Sequence, residues 1–257
     1  MATVTFTPLI LRGAGTRGVP LIPKSGGGGG DTGLATISNA FSMTFIPADN
    51  TVMDVGELPP YFRINPIGIA RDNPWSVSAW VSGSGTFLGL PYASLSSTQA
   101  RGFSFSYNNY LMFGGKFAGA RFRETNYAGG GTAYDESIFN HIVITYDGLG
   151  NAGSSLDPDP SSYKLYVNGS DVSISYQAPN PSDFHISSVT IGASGLPSDN
   201  AFNVWDGQVD EVGIFTASLD ASTVESIYSA SLPLGSGVTG DLSKLDTPPV
   251  AWYRMGD

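Results

Sequence analysis

Apolar and polar residues alternate along this chain in runs too short and too regular for anything but β-strands. Ser76-Val77-Ser78-Ala79-Trp80-Val81 sets Val77 and the small Ala79 on one face and the serine hydroxyls with Trp80 on the other. Gly102-Phe103-Ser104-Phe105-Ser106-Tyr107 alternates more cleanly, and Ile142-Val143-Ile144-Thr145-Tyr146 is a β-branched run suited to a strand buried on both faces. Lys164-Leu165-Tyr166-Val167 runs into Asn168-Gly169, both of which accept positive φ, and Ser170 to Ile174 supplies the returning strand of a hairpin. Val189-Thr190-Ile191 and Val209 to Phe215 follow. Between these runs stand 33 glycines and 17 prolines, while only 13% of residues are charged, so a long helical bundle is excluded. At 41% hydrophobic residues, the 257-residue chain has enough apolar surface for a full core, which excludes global disorder. One helix is expected: Asp220 is a good N-cap, and Val224, Ile227 and Tyr228 share a face.

The pattern divides the chain. Residues 1–37 read as an extended arm, with a strand-like Val4-Thr5-Phe6-Thr7 tip, prolines at 8, 20 and 23, and an unbroken glycine tract from Gly26 to Gly30 that suits a flexible tether. The tip suits either a partner's sheet edge or its own domain. Residues 38–233 form the body, and 234–257 a linker and C-terminal segment. No acid precedes Asp31, so Arg12, Arg17 and Lys24 give residues 1–30 a charge of +3, and the net −10 leaves −13 to the remainder. Such an acidic body is a poor match for nucleic acid. The absence of cysteine excludes disulfides, thiolate chemistry and Cys-ligated zinc. Pro8-Leu9-Ile10-Leu11 is too short for a signal-peptide core, and no run suits a membrane-spanning helix, so the expectation is a protein that is neither exported by a signal peptide nor held in a membrane.

Four segments, in order, carry a resemblance. Phe45 to Gly56 is similar to an "FDG-x-x-D-Y-V-x-V" strand, and Pro74 to Val81 to "pFSisaWV". Phe139 to Gly148 with Tyr163 to Gly169 is similar to a "W-x-H-v-a-v-t-y-d-G … l-Y-v-N-G" pair. Trp205 to Val212 with Leu219 to Tyr228 is similar to a "G-x-I-D-E-V" strand and its helix. Together they resemble the laminin-G-like family of the concanavalin A-like lectin/glucanase superfamily. The resemblance implies an all-β, two-sheet antiparallel jelly-roll sandwich with one short C-terminal packing helix. The ending, Ala251-Trp252-Tyr253-Arg254-Met255-Gly256-Asp257, resembles an "aWWRMGD" segment found beside such modules in phage and other viral structural proteins. It either opens a further module or returns to pack Trp252 and Tyr253 on the preceding domain.

Because the superfamily contains glucanases, catalysis must be weighed. Glycosidases of this fold carry an E-x-D-x-x-E strand, whereas Gln208-Val209-Asp210-Glu211-Val212-Gly213 has Gln at its first position and Gly at its last acid. The paired carboxyls of retaining hydrolysis are therefore missing from that text. His141 and His185 are the sole histidines, and no G-x-S-x-G elbow is present; His141 reads as a structural residue of the sandwich.

The resemblance also implies possible calcium at the rim, a hard cation held by oxygen ligands from Asp49, Asn50 and Asp210, although Ile46 stands where an acid is usual. Glycan contacts are expected from Tyr92, Tyr127, Tyr134 and Trp205 in loops. Arm contacts to other virion proteins are expected at Val4, Phe6, Arg12 and Arg17. The expectation is a non-enzymatic virion structural protein, multimeric in its assembly and assembled in the host cytoplasm, displaying a lectin-like domain for glycan or host-surface adhesion. The alternatives are a carbohydrate-binding module not tied to a virion and, behind it, a glycoside hydrolase.

Overall fold

The computed structural model describes residues 5–8, 34–38, 41–45, 62–64, 73–90, 103–107, 111–114, 121–124, 134–149, 160–177, 189–192, 205–231 and 238–254. Its strands, in chain order, are β1 (Thr5–Pro8), β2 (Thr36–Ser38), β3 (Phe41–Phe45), β4 (Phe62–Ile64), β5 (Trp75–Leu90), β6 (Phe103–Tyr107), β7 (Leu111–Gly114), β8 (Arg121–Glu124), β9 (Asn140–Tyr146), β10 (Tyr163–Val167), β11 (Ser170–Val172), β12 (Ile174–Gln177), β13 (Val189–Ile191), β14 (Asp206–Phe215), β15 (Val238–Gly240) and β16 (Ala251–Tyr253). The helix α1 covers Ala221–Ala230.

All ladders are antiparallel, and β5 belongs to two of the layers they build. Its first part pairs with β14 on one side and β9 on the other, giving a first sheet ordered β1-β3-β14-β5-β9-β10-β11. Its second part pairs with β13 and β6, giving a second sheet ordered β4-β13-β5-β6-β7-β8-β12. The strand turns between them at Gly83 and Gly85, whose φ of 120° and 103° lie where only glycine is at ease. Gly83 faces Gly207 across the ladder, and a Cβ on Gly207 would strike Ser82 O and lie 2.7 Å from Gly83 Cα. The two strands approach closely there because neither has a side chain.

The core follows from the alternation. Trp75, Val77, Ala79 and Val81 of β5, Ile142 and Ile144 of β9, and Val209, Val212 and Ile214 of β14 share one buried cluster with Phe87, Leu88 and Ile191 from the second sheet. This is the two-sheet jelly roll that the segment matches imply. Opposite-facing residues of the first sheet are also covered. Val143, Tyr166 and Phe215 pack with Leu219, Val224 and Ile227 of the α1 region and with Leu242. Every residue of β9 is consequently buried, as its β-branched run suggests.

Local signals behave as read. Asn168 and Gly169 take φ of 51° and 78° and join β10 to β11. Asp220 caps α1 by accepting from Thr223 N at 2.7 Å, and Val224 and Ile227 are its buried residues. The strand tip, open between a partner's edge and its own domain, pairs with β3 of the same chain, Phe6 opposite Met43. The C-terminal segment returns: β16 pairs with β14 in the register Val212↔Tyr253, Gly213↔Trp252 and Ile214↔Ala251. With β2 bound to β15, the body thus draws on residues on both sides of 38–233.

Candidate functional site

The Asp210-Glu211 pair lies on a β-bulge. Val209 faces Val81 and Ile214 faces Val77, five residues on one strand against four on the other, so β14 holds an extra residue between Asp210 and Gly213. Glu211 absorbs it with a φ of 49°, uncommon for a residue with a side chain. The bulge returns Val212 and Ile214 to the core face. It also separates two short strands on the outer edge of β14, since β3 pairs at Gly207–Val209 and β16 at Val212–Ile214. Glu211 is 2% exposed and receives the indole of Trp252 at 2.5 Å on Oε2 and Arg254 Nε at 3.4 Å on Oε1. Burial, with the Asp210 charge beside it, pushes its carboxyl up to about 8 against the pull of Trp252 and Arg254. Asp210 is buried too, and its Oδ1 accepts Glu211 N at 2.8 Å.

On the outer face of the same sheet, His141 is wholly buried in an aromatic stack, 5.0 Å from Trp80 and 6.3 Å from Tyr228 between ring centroids. Its Nε2 shares a 2.8 Å hydrogen bond with Ser78 Oγ, and its Nδ1 has no partner. Burial lowers it to about 3, so the ring is neutral. The Ser78–His141 contact is sealed from solvent, with Ser78 1% exposed, and serves packing. The structural reading of His141 agrees with this geometry.

The expected site residues that lie among the described ones do not form a common site. Tyr134 and Trp205, placed by expectation on an exposed glycan-binding rim, are 3% and 0% exposed and belong to the core. Tyr134 donates its hydroxyl to Gly83 O at 2.7 Å, and Trp205 sets its indole edge-on to Phe87 at 5.3 Å and donates to Gln208 O at 3.2 Å. Both brace the turn of β5, so neither offers a ring face to a sugar. Asp210 sits mid-strand opposite Trp80 with one carboxylate oxygen engaged, a poor fit to a rim cation. Among the described residues no three His, Cys, Asp or Glu side chains gather as a metal site. Asp49, Asn50, Tyr92, Tyr127, Val4, Arg12 and Arg17 lie outside the described residues. Phe6 is placed in β1 by its backbone register.

A cleft absent from the sequence reading lies beside α1. It encloses about 570 Å³ between Leu34-Ala35, the turn from Ala217 to Asp220, the exposed side of α1 and Lys244 to Thr247. That volume is within the usual range for small-ligand pockets. Ser222 Oγ donates to Asp220 Oδ1 and Ser226 Oγ to Ser222 O, both at 2.8 Å. Their protons are used within the helix, leaving oxygen lone pairs for the cleft. Lys244 and Asp246, both exposed, add an ammonium and a carboxylate opposite. The sequence signal is a helix whose polar face reads Ser-Thr-Ser where charged residues are usual.

Comparison with known proteins places the architecture. A family model described as the concanavalin A-like lectin/glucanases superfamily matches residues 59–225. Among solved structures, the chain is similar to a native heptameric SAP-like pentraxin from Limulus polyphemus, with 11% identity, a TM-score of 0.50, and coverage of 84% of this chain and 92% of that one. It is also similar to a putative carbohydrate binding protein from Bacteroides ovatus, with 14% identity, a TM-score of 0.46, and coverage of 76% of this chain and 49% of that one. A third is domain 4 of an extracellular arabinanase from Geobacillus stearothermophilus in complex with arabinotriose, with 14% identity, a TM-score of 0.43, and coverage of 87% and 86%. No curated protein sequence matched the chain.

Proposed function

We propose that this chain, which belongs to the concanavalin A-like lectin/glucanases superfamily, is a non-enzymatic carbohydrate-binding display protein of a virion surface. The cleft beside α1 carries the reading of glycan binding. Its serine oxygens and the Asp246 carboxylate accept hydrogen bonds, Lys244 donates them, and Leu34, Leu219 and Leu245 supply apolar wall. A sugar is rich in hydroxyl donors arranged around a ring with apolar C–H faces, and matches that lining. Support for the non-enzymatic part is that Glu211 is held by Trp252 and Arg254, and Asp210 by the Glu211 amide, which commits the closing-strand acids to the fold. The virion assignment is supported by the glycine-tethered arm and by the resemblance of the C-terminal Trp-Tyr-Arg-Met-Gly-Asp to viral segments.

A glycan array probed with and without calcium tests the binding. At least one glycan should bind at millimolar or lower concentration, and Lys244→Ala with Asp246→Ala should weaken it tenfold or more. No binding to any sugar overturns the reading; undiminished binding by the double variant removes the cleft from it. For the particle, a chain lacking residues 1–30 should fold yet fail to associate with virions, and retained association would overturn the role of the arm.

A further inference from the structure

The connection between β1 and the rest of the chain is far longer than its geometry requires. Pro8, the last residue of β1, lies opposite Phe41 in the β1–β3 ladder, and β2 begins at Thr36, five residues before Phe41. Thr36 is thus within roughly 18 Å of Phe41 even if the chain between them is fully extended. Residues 9–35 join Pro8 to Thr36, and at about 3.4 Å each they reach roughly 90 Å. A compact body of this size is about 45 Å across. The reach spans a neighbouring copy, and the connection contains the five-glycine tract, the composition of a flexible link.

The ladder it serves is short. Four residue pairs hold β1, all on β3, and β1 is the end of the sheet order. Without β1, β3 would present an unpaired edge of alternating Phe41, Met43 and Phe45, a template for another strand. That edge needs a cover, and every copy carries the same one. A connection of this length and glycine content corresponds to an effective concentration on the order of millimolar for its own strand, which neighbouring copies in a dense array also reach. The intramolecular pairing then has little advantage over the identical pairing between chains.

We propose that β1 is an exchangeable strand: in an assembly, Thr5–Pro8 of one copy completes the β3 edge of a second copy, and residues 9–35 are the link between them. The partner is another copy of this chain, bound by the backbone register seen within one chain. Reciprocal exchange gives a closed dimer, and serial exchange gives a ring or a row. This assembly is independent of whether the cleft takes a glycan.

The absence of cysteine makes the test direct. Residues directly opposite in an antiparallel ladder have Cα atoms about 4.5–5.5 Å apart, within reach of a disulfide. Phe6→Cys and Met43→Cys, placed on separate, differently tagged full-length chains, are mixed at rising concentration and oxidised gently. The expected product is a disulfide dimer containing one chain of each kind, increasing toward millimolar protein. Ser229→Cys, on the exposed side of α1, replaces Met43→Cys as the collision control and should give at least tenfold less. The two substitutions in one chain at micromolar concentration should close within that chain. If that double variant closes but the mixture forms no mixed dimer, or no more than the control, exchange is overturned. If the double variant does not close, β1 does not occupy β3 and the proposal also falls. Thr7→Cys with Ser42→Cys, the adjacent pair, repeats the test should the first pair disturb folding.

Discussion

The two faces of the first sheet are both buried, yet they are built differently. The inner face is largely apolar: Val77, Ala79, Val81, Ile142, Ile144, Val209 and Ile214 share the cluster that meets the second sheet, with Tyr134 and Trp205 each giving a hydrogen bond to a backbone carbonyl. The outer face buries Ser76, Ser78, His141, Asp210 and Glu211 among its aromatics, and nearly every group there is tied individually. Ser76 Oγ donates to Ala217 O at 2.7 Å and accepts from Leu219 N at 2.9 Å, fixing the turn into α1. Glu211 fixes β16, and Ser78 holds His141. Hydrophobic contact is non-directional and makes the inner layer stable; hydrogen bonds are directional and decide where α1 and the C-terminal segment sit.

That contrast can be broken by mutation. Trp205→Ala removes a fully buried indole from the inner core and should cost about 3–5 kcal/mol in denaturant unfolding, the largest effect among these changes. A cost below about 1 kcal/mol would mean that the inner face does not dominate. Glu211→Ala should cost less, about 1–3 kcal/mol, by leaving the Trp252 indole without its acceptor, and should raise hydrogen exchange in β16 while sparing β9.

The pH profile sharpens the same point. A carboxyl raised from 4.5 to about 8 by folding binds more protons folded than unfolded across that window. Its contribution is full below about 4.5 and is lost as pH rises through about 8. Glu211→Gln should flatten this decline. Histidine lowered by folding from 6.5 to about 3 has the opposite sign: its contribution is full above 6.5 and is lost as pH falls toward 3. Asp220→Ala, the loss of one exposed cap, should cost about 1 kcal/mol. Smallest of all, His141→Phe combined with Ser78→Ala should stay within about 1 kcal/mol near neutral pH, because the pair keeps the stack between Trp80 and Tyr228 and removes both partners of the buried hydrogen bond together with the unpartnered Nδ1. It should also flatten the acid limb. A loss above 3 kcal/mol would show that the Ser78 bond, rather than the stack, holds α1.

The inner face was legible in the sequence because alternation is a local property. Even the bulge has a local trace, since Val209, Val212 and Ile214 can share a face only if one intervening residue drops out of register. The outer face was not legible to the same degree. Glu211 and Trp252 are 41 residues apart, and their contact depends on where the C-terminal segment lands. The cleft draws on Leu34, on the α1 region and on Lys244 to Thr247, three segments with no shared period. Tyr134 and Trp205 misled for a different reason. An aromatic beside a glycine-rich loop reads alike whether it faces solvent or braces a turn, and here the glycine turn of β5 needed bracing.

The arrangement of β3 and β16 along one edge of β14 also has a mechanical meaning. They lie end to end, with the Asp210-Glu211 bulge between their attachment points. Tension applied through the two ends of the chain enters β14 through two ladders of three residue pairs each. It need not cross the second sheet at all, so that sheet can be carried as an unstrained load. A pulling experiment should therefore release the terminal strands before the body, leaving the sandwich intact after the first rupture.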